Sequence, residues 1–282
     1  MIFTSIAQAK KQTGLSYLGS VNSSAKMMKN NKIGMKTYSI YLAPNNISGY
    51  NVCSHSTPEC RIGCLNTSGR AGMEIISNKT TLINCRIKKS QLFFEHTDFF
   101  MNWLIAEIKE EHIKAINNDF DFSVCLNCTS DINWANVLID NKNIFQIFPD
   151  IQFYDYTKNH NKFNNILDNY HLTMSYTGNN WQVCEALLQR GFNVAMIFDI
   201  RQNKELPKTI NGYNIIDGDI NDYRPNNGNS NIIGLRWKVI ANKQANDLVR
   251  QSKLVIKPEK LFGFITYNVD HFSKISHETI LT

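Results

Sequence analysis

The sequence predicts an α/β protein built on a partial parallel (β/α) barrel. From residue 120 onward, short apolar runs of strand length alternate with helix-compatible stretches, and each apolar run ends in polar residues. One helix-compatible stretch, Trp181 to Arg190, is followed by Gly191, the residue type that most often closes a helix. Repeated strand, helix and strand units are typical of a parallel sheet, so these observations together predict a TIM-like architecture.

Seven strands are predicted from runs of apolar and β-branched residues. The first, Thr37 to Leu42, ends before Pro44 and leads into a loop rich in cysteine. The others cover residues 122–126, 151–154, 171–174, 192–198, 213–216 and 232–235.

One long helix is predicted before the repeating region. Phe100, Leu104 and Ile108 recur every four residues, and Thr97 or Asp98 is the expected cap. Glu107 belongs to a charged set that we expect on the solvated face of this helix.

The chain divides into three predicted segments. Residues 1–36 form a basic N-terminal arm, residues 37–240 the partial-barrel domain with a cysteine loop at 53–70, and residues 241–282 a C-terminal extension. A basic helix at 245–254 and a strand-like stretch at 261–269 are expected in the extension.

Composition narrows the classes of function. The chain has 282 residues, 43% of them apolar, which suffices for a core without disulfides. No apolar run of about eighteen residues occurs and the first residues lack a signal-peptide pattern, so we expect a soluble, cytoplasmic protein with no membrane partner. A net charge of +6 permits an anionic partner such as nucleic acid. Walker and dinucleotide-binding fingerprints are absent, which argues against a P-loop NTPase or a Rossmann dehydrogenase.

The most informative stretch is the cysteine loop. Cys53, Cys60 and Cys64 lie in a polar segment bent by Pro58 and Gly63, with the spacing C-x6-C-x3-C. Short flexible loops let several thiolates converge on one centre, so the pattern predicts a metal or iron–sulfur site. An odd total of seven cysteines, three of them crowded together, fits metal binding better than a disulfide framework.

Two kinds of centre fit three close cysteines. A four-iron, four-sulfide cluster can be held by three thiolates with one iron left open, and this is the favoured interpretation. Zinc prefers four protein ligands, often in C-x2-4-C pairs, and His55 is the candidate to complete such a site. If Cys85 or Cys128 supplies a fourth ligand, the cluster is closed; if neither does, a small molecule can bind the open iron.

Polar residues follow several predicted strands. Because ligands bind at the carboxyl ends of strands in parallel α/β folds, these residues are candidates to hold a cofactor or substrate. Helix capping is the alternative explanation for some of them. The predicted cofactor-binding residues are Asp131, Lys158, Asp219, Arg224, Arg236 and Lys238.

Longer motifs resemble the phage and bacterial proteins of the gene-product-88 kind. They run in consistent order through residues 30–240 and include C-R-I-K-K-S at 85–90, F-P-D-I-Q-F-Y-D-Y-T-K at 148–158, I-D-G-D-I-N-D-Y-R at 216–224 and I-I-G-L-R-W-K at 232–238. The resemblance implies a phage or phage-like origin and brings no activity with it. It carries over Cys53, Cys60 and Cys64 as ligands, whereas Cys85, Cys125 and Cys128 depart from the family pattern.

A strand that ends in a three-cysteine loop, followed by βα units, is also similar to the plan of radical-SAM enzymes. That resemblance implies a four-iron cluster at the mouth of a partial barrel, with S-adenosylmethionine bound at its open iron. The cysteine spacing differs from the usual C-x3-C-x2-C, so the reaction stays open. The chain is predicted to be an iron–sulfur protein that acts as a redox or radical enzyme. The alternative is a nucleic-acid-binding protein of phage replication whose fold is stabilised by zinc or by a cluster.

Overall fold

The computed structural model describes residues 1–21 and 24–258 and shows a mixed α/β protein. Its strands are β1 Gly19–Ser20, β2 Met35–Ile40, β3 Asp121–Cys125, β4 Leu138–Ile139, β5 Lys142–Asn143, β6 Gln152–Thr157, β7 Tyr170–Ser175, β8 Asn193–Phe198, β9 Thr209–Ile210, β10 Tyr213–Asp217, β11 Ile232–Arg236 and β12 Val255–Ile256. Its helices are α1 Ile6–Thr13, α2 Ala25–Met28, α3 Pro58–Ile62, α4 Gly69–Ile76, α5 Thr81–Glu95, α6 Thr97–Ile116, α7 Ile144–Ile147, α8 Trp181–Gln189 and α9 Lys243–Gln251.

One ten-stranded sheet organises the fold. Strands β2, β3, β6, β7, β8, β11 and β10 lie side by side in that order, and every neighbouring pair is parallel. Short antiparallel strands border the two ends, since β1 pairs with β2 and β9 with β10. The last strand, β12, pairs in parallel with the carboxyl end of β8. All seven predicted strands are present, so the predicted parallel α/β class is confirmed.

The strand order departs from a simple barrel at one point. From β2 to β8 the strands of the main sheet follow the chain, but β11 lies between β8 and β10. Within residues 1–21 and 24–258 no strand pairing joins the β9 edge to the β1 edge, so the described sheet is open. The coarse prediction of a mostly parallel α/β sheet therefore holds, whereas the predicted partial-barrel, TIM-like arrangement stays a prediction.

The main core lies on one face of the sheet, under the helices. Trp103 of α6 and Leu188 of α8 are fully buried in the same cluster as strand residues Tyr38, Val124 and Met196. Alternation along each strand places these side chains on a common face. The periodic apolar residues of α6 thus cover the sheet as their spacing predicts.

Two details of α6 differ from the prediction. The helix has no side-chain cap at its N-terminus, and the Thr97 hydroxyl instead donates to the Phe93 carbonyl oxygen at 2.8 Å. Glu107 is only 6% exposed, so its assignment to the wet face is wrong. Its carboxylate accepts hydrogen bonds from the Leu18 backbone N–H and from the Tyr38 hydroxyl, at 3.0 and 2.6 Å. Leu18 lies in the N-terminal segment and Tyr38 in β2, and residue periodicity alone cannot show contacts so distant in sequence.

The opposite face of the sheet is polar. Thr37 of β2 and Ser123 of β3 contact each other through their hydroxyls at 2.9 Å, and Asn30 donates to Thr37 and to the Tyr154 hydroxyl of β6. The connection from β10 to β11 also crosses this face, because the Asp222 backbone N–H donates to Asn30 at 2.7 Å. Segments from both ends of the chain therefore cover the polar face.

The two terminal segments of the predicted division contact the sheet. Residues 25–33 bind the polar face, and α9 and β12 pack at the carboxyl end of β8. The predicted basic helix near 245 is confirmed as α9, whereas the strand-like stretch at 261–269 lies outside the described residues. The proposed segment boundaries themselves stay a prediction. None of the described helices is long and apolar enough to cross a membrane.

Candidate metal centre

The three loop cysteines lie on separate turns that follow β2. Cys53 lies in the irregular loop before α3, Cys60 lies within α3 and Cys64 precedes a short 3-10 turn. The Thr57 hydroxyl caps α3 by accepting the Cys60 backbone N–H at 3.2 Å, and Pro58 occupies the first helical turn. Local capping therefore fixes the backbone that carries the second thiol.

The loop lies across the carboxyl ends of β3 and β6. The Asp131 backbone N–H donates to the Val52 carbonyl oxygen at 2.7 Å, and the Cys53 thiol lies 3.8 Å from the Thr129 carbonyl oxygen. The Lys158 ammonium, just beyond β6, lies near enough to Cys60, Cys53 and Asp131 to interact with them electrostatically. Predicted residues Lys158 and Asp131 are thus brought to the cysteine loop by the sheet.

All three thiols are partly buried and interact electrostatically with one another. Burial raises the pKa of Cys53, and a thiolate at Cys60 would raise it further. Burial raises the pKa of Cys64 to about 11, with smaller contributions from Cys60 and Cys53. The Cys53 and Cys64 thiols are therefore protonated at neutral pH when no ion is bound, so metal binding at this loop must release protons.

Two cations face the thiols. Burial acts to lower the pKa of Lys158, but Cys60 and Asp131 outweigh it and the pKa is raised, so Lys158 stays charged. Arg86 donates to the Asn66 side-chain oxygen, lies over the Tyr41 ring and is near Cys64. Positive charge near the thiols favours a thiolate-rich, anionic centre over a bare dication.

A buried ion pair fixes the position of Lys158. Asp131 accepts the Lys158 backbone N–H at 2.9 Å and the Thr157 hydroxyl at 2.7 Å, and its carboxylate pairs with Lys162 at 2.6 Å. Although burial acts to raise the pKa of Asp131, Lys162 outweighs burial and the pKa is lowered. Asp131 therefore positions the β6 end and has its own charge already neutralised.

The far side of the loop packs against the segment after β11. The Ala241 backbone N–H donates to the Thr67 carbonyl oxygen at 3.0 Å. An added Cβ at Gly63 would lie 3.1 Å from both Trp237 and Val249, which shows how close the two segments approach. A side chain at position 63 would therefore crowd this interface, whereas the backbone there, with φ of −85°, does not itself require glycine.

A preformed single-ion site is not present in the described part of the chain. There, no three His, Cys, Asp or Glu side chains are grouped closely enough to hold one metal ion. His55, the candidate fourth zinc ligand, is exposed, and its ring nitrogen contacts the neighbouring Ser54 hydroxyl at 2.9 Å. Zinc would require the loop to rearrange, because thiolates around one zinc lie about 3.8 Å apart at a Zn–S length of about 2.3 Å.

The remaining predicted cofactor residues form a second group at the ends of β10 and β11. Arg236 pairs with Asp217 at 2.8 Å and with Asp219 at 3.1 Å. Arg224 is 1% exposed and donates to the carbonyl oxygens of Gly218, Asn221 and Asp222. These contacts brace the turn after β10. Lys238 is exposed. Partial desolvation by the surrounding residues, together with the positive charge of nearby Lys26, lowers its pKa.

The lysines of the N-terminal arm are partly committed to internal contacts. Lys26 pairs with Asp222 at 2.5 Å and lies 4.7 Å from the centre of the Tyr156 ring. Lys29 donates to the Asp219 carbonyl oxygen, and Lys36 lies over Phe120. This arrangement gives no support to a free basic tail that binds phosphates.

Sequence reasoning missed the contacts of four residues. Lys162 and Arg86 gave no signal because their partners are distant in sequence. Cys125 and Cys128 were set aside as departures from the family pattern, yet their sulfurs lie 3.4 Å apart. Their C-x2-C spacing was the available signal.

Fold and loop together define a class: an α/β protein with a mostly parallel sheet and a three-cysteine loop over the carboxyl ends of its strands. The chain belongs to the Gene product 88 family, whose model matches residues 5–257. This match confirms the family predicted from the motifs, and its span includes all seven cysteines. No curated protein and no solved structure matches the chain.

Proposed function

We propose that this protein binds a four-iron, four-sulfide cluster through Cys53, Cys60 and Cys64. The observation that carries the proposal is that three partly buried thiols of one loop lie near enough to interact electrostatically, with the Lys158 ammonium beside them. Each thiolate of such a cluster binds a different iron, so the ligands lie further apart than around one ion. The absence of a compact single-ion site among the described residues is compatible with this larger centre.

Electrostatics supports the same choice. A cluster with three thiolates carries net negative charge, and burying that charge is unfavourable unless cations or N–H donors surround it. Lys158 and Arg86 supply cations, and the Asn66 backbone N–H faces the Cys64 sulfur at 3.5 Å. These groups can compensate the negative charge of the proposed cluster without a further ligand from the protein.

An open fourth iron is the proposed point of chemistry. Cys85 is exposed on α5, and Cys128 is already in contact with Cys125, so neither is committed to the loop. When bound, such a cluster supplies one-electron chemistry and a Lewis-acidic iron. A ligand with amino and carboxylate groups, S-adenosylmethionine being the example from the radical-SAM plan, is proposed to bind there with Lys158 beside it. A TIM-like or radical-SAM-like arrangement of the sheet is part of this proposal.

The deciding experiment is anaerobic purification and reconstitution of the full chain. We expect about four iron and four sulfide per chain, with a broad visible absorption. Cys60→Ser should abolish the absorption, and Cys85→Ser is the matched control that should leave it intact. A colourless protein carrying one equivalent of zinc would overturn the proposal.

The open iron is tested separately. Cys128→Ser should keep the wild-type spectrum, and S-adenosylmethionine should change the spectrum of both proteins. Loss of the cluster in Cys128→Ser to the extent seen in Cys60→Ser would show a closed, four-thiolate site.

A further inference from the structure

A pair of cysteines, separate from the three of the cysteine loop, lies close to that loop. Cys125 is the last residue of β3, and Cys128 follows three residues later, in the first turn beyond the strand. Their Sγ atoms are 3.4 Å apart, and both thiols are free. A disulfide needs a sulfur–sulfur distance of about 2.05 Å, so a side-chain movement of little more than 1 Å would join them.

The two sulfurs differ in access. Cys125 is 2% exposed and packs among Met27, Met35 and Tyr154, whereas Cys128 lies at the edge of that cluster and is partly exposed. An external reagent can therefore reach Cys128 first, and Cys125 is placed to attack it from inside. A dithiol with one accessible and one buried sulfur is the arrangement that thiol–disulfide exchange uses.

A proton acceptor adjoins the buried thiol. Cys125 Sγ lies 3.4 Å from Asp155 Oδ1, and Asp155 is 1% exposed. The carboxylate also accepts the Asn127 backbone N–H at 2.7 Å and the Tyr170 hydroxyl at 2.9 Å. Burial raises the pKa of Asp155 to about 6, so the group is ionised at neutral pH and still basic enough to take a proton.

We propose that Cys125 and Cys128 form a thiol–disulfide exchange site whose substrates are disulfides of low molecular weight or of other proteins. The pair contains none of the three loop cysteines, so this inference stands apart from the proposed cluster.

The exchange balances as two successive displacements. Cys128 loses its proton to solvent, and its thiolate attacks one sulfur of the substrate R–S–S–R, forming a mixed disulfide and releasing one R–S⁻. Cys125 then gives its proton to Asp155 and attacks the Cys128 sulfur, forming the internal disulfide and releasing the second R–S⁻. The two released thiolates take up the two protons, so one substrate disulfide is reduced and one protein dithiol is oxidised.

The surroundings of the pair favour the oxidised product. The hydrogen bond with Cys128 and burial raise the pKa of Cys125, and Asp155 and Asp222 act in the same direction. With its pKa raised, Cys125 gives the reduced form little stabilisation by ionisation, which makes the dithiol a better reductant than a pair with a low-pKa thiol in this position.

The test uses the full-length wild-type chain and oxidised glutathione as the probe. After exposure, the protein is denatured, alkylated and digested with trypsin. The fragment 115–142 contains Cys125 and Cys128 as its only cysteines, and the fragment 163–190 contains only Cys184. We expect the first fragment to lose two hydrogens in mass and to resist alkylation, while Cys184, which is fully buried, remains alkylated. Two alkylated cysteines in fragment 115–142, at a time when exposed Cys85 is fully glutathionylated, would overturn the proposal.

Three variants separate the two displacements. In Cys125→Ser, glutathione should remain on Cys128 as a stable mixed disulfide, and Cys128→Ser should not react at either position. In Asp155→Asn the mixed disulfide should still form at Cys128 at the wild-type rate, but its closure should slow by about tenfold or more. Equal slowing of both steps would assign Asp155 a merely structural role, and unchanged closure would remove it from the mechanism.

Discussion

Replacing Lys162 by Met tests whether the Asp131–Lys162 pair holds the β6 end beneath the cysteine loop. The Lys162 ammonium is almost completely buried and donates to the Asp131 carboxylate at 2.6 Å and to the Ile132 carbonyl oxygen at 2.9 Å. Methionine preserves most of the aliphatic stem and its packing. The change therefore removes the charge and its hydrogen bonds and little else.

The expected loss of stability is large. Without Lys162 the Asp131 carboxylate keeps the Thr157 hydroxyl and the Lys158 backbone N–H, but its buried charge has lost its cation. Removing one partner of a buried ion pair typically costs about 3–5 kcal/mol. For a protein of this size that corresponds to a decrease in Tm of about 6–20 °C.

The pH dependence provides a second signature. In the wild type the pKa of Asp131 is lowered, so its stabilising contribution is present above the ordinary Asp pKa and is lost as pH falls through the folded-state pKa. In Lys162→Met, burial without a partner should raise that pKa instead. The difference in stability between the two proteins should therefore be largest near pH 7. It should narrow as pH falls, first through the raised Asp131 pKa of the variant and then through the lowered Asp131 pKa of the wild type.

Urea unfolding followed by circular dichroism measures both effects. Lys114→Met is the matched control, because Lys114 makes an exposed helix-surface pair with Glu111 at 2.7 Å and should lose less than about 0.5 kcal/mol. If Lys162→Met loses no more than this control, the pair does not hold the β6 end.

Three further outcomes are expected. Burial raises the pKa of Cys64 to about 11, so its alkylation in the apo protein should accelerate about tenfold per pH unit from pH 7 to 10. Mass spectrometry measures the rate, with exposed Cys85 as the reference, and a plateau below pH 9 would contradict the expectation. Burial, with a smaller contribution from Arg224, lowers the pKa of His171 to about 4. The free energy of unfolding should therefore decrease by roughly 1.4 kcal/mol per pH unit as the pH falls from 6.5 to 4. His171→Gln should remove that slope in urea titrations. Tyr38→Phe should lose about 1.5–3 kcal/mol, because its hydroxyl donates to buried Glu107 at 2.6 Å; unfolding equal to wild type would show that this bond is not stabilising.

Local patterns determined the elements and the position of the loop. The apolar runs gave the parallel strands because a strand buried on a sheet needs consecutive β-branched and aromatic residues. Gly191, with φ of 95°, follows α8 where its left-handed backbone was expected. Crowding of Cys53, Cys60 and Cys64 is itself a sequence property, so the loop could be identified without coordinates.

The tertiary structure decided the partners. Lys162 reaches Asp131, and Cys125 reaches Asp155, only because parallel strands bring their carboxyl ends to one edge of the sheet. Glu107 has the spacing of a solvent-facing residue, and a segment nearly ninety residues earlier buries it. Placement of β11 between β8 and β10 likewise depends on long-range pairing, which residue periodicity does not encode. The sequence by itself therefore determined the seven longer strands, the helices α6, α8 and α9, and the cysteine loop. Only the folded sheet decided which charges and thiols meet, because those contacts join segments that are far apart in the chain.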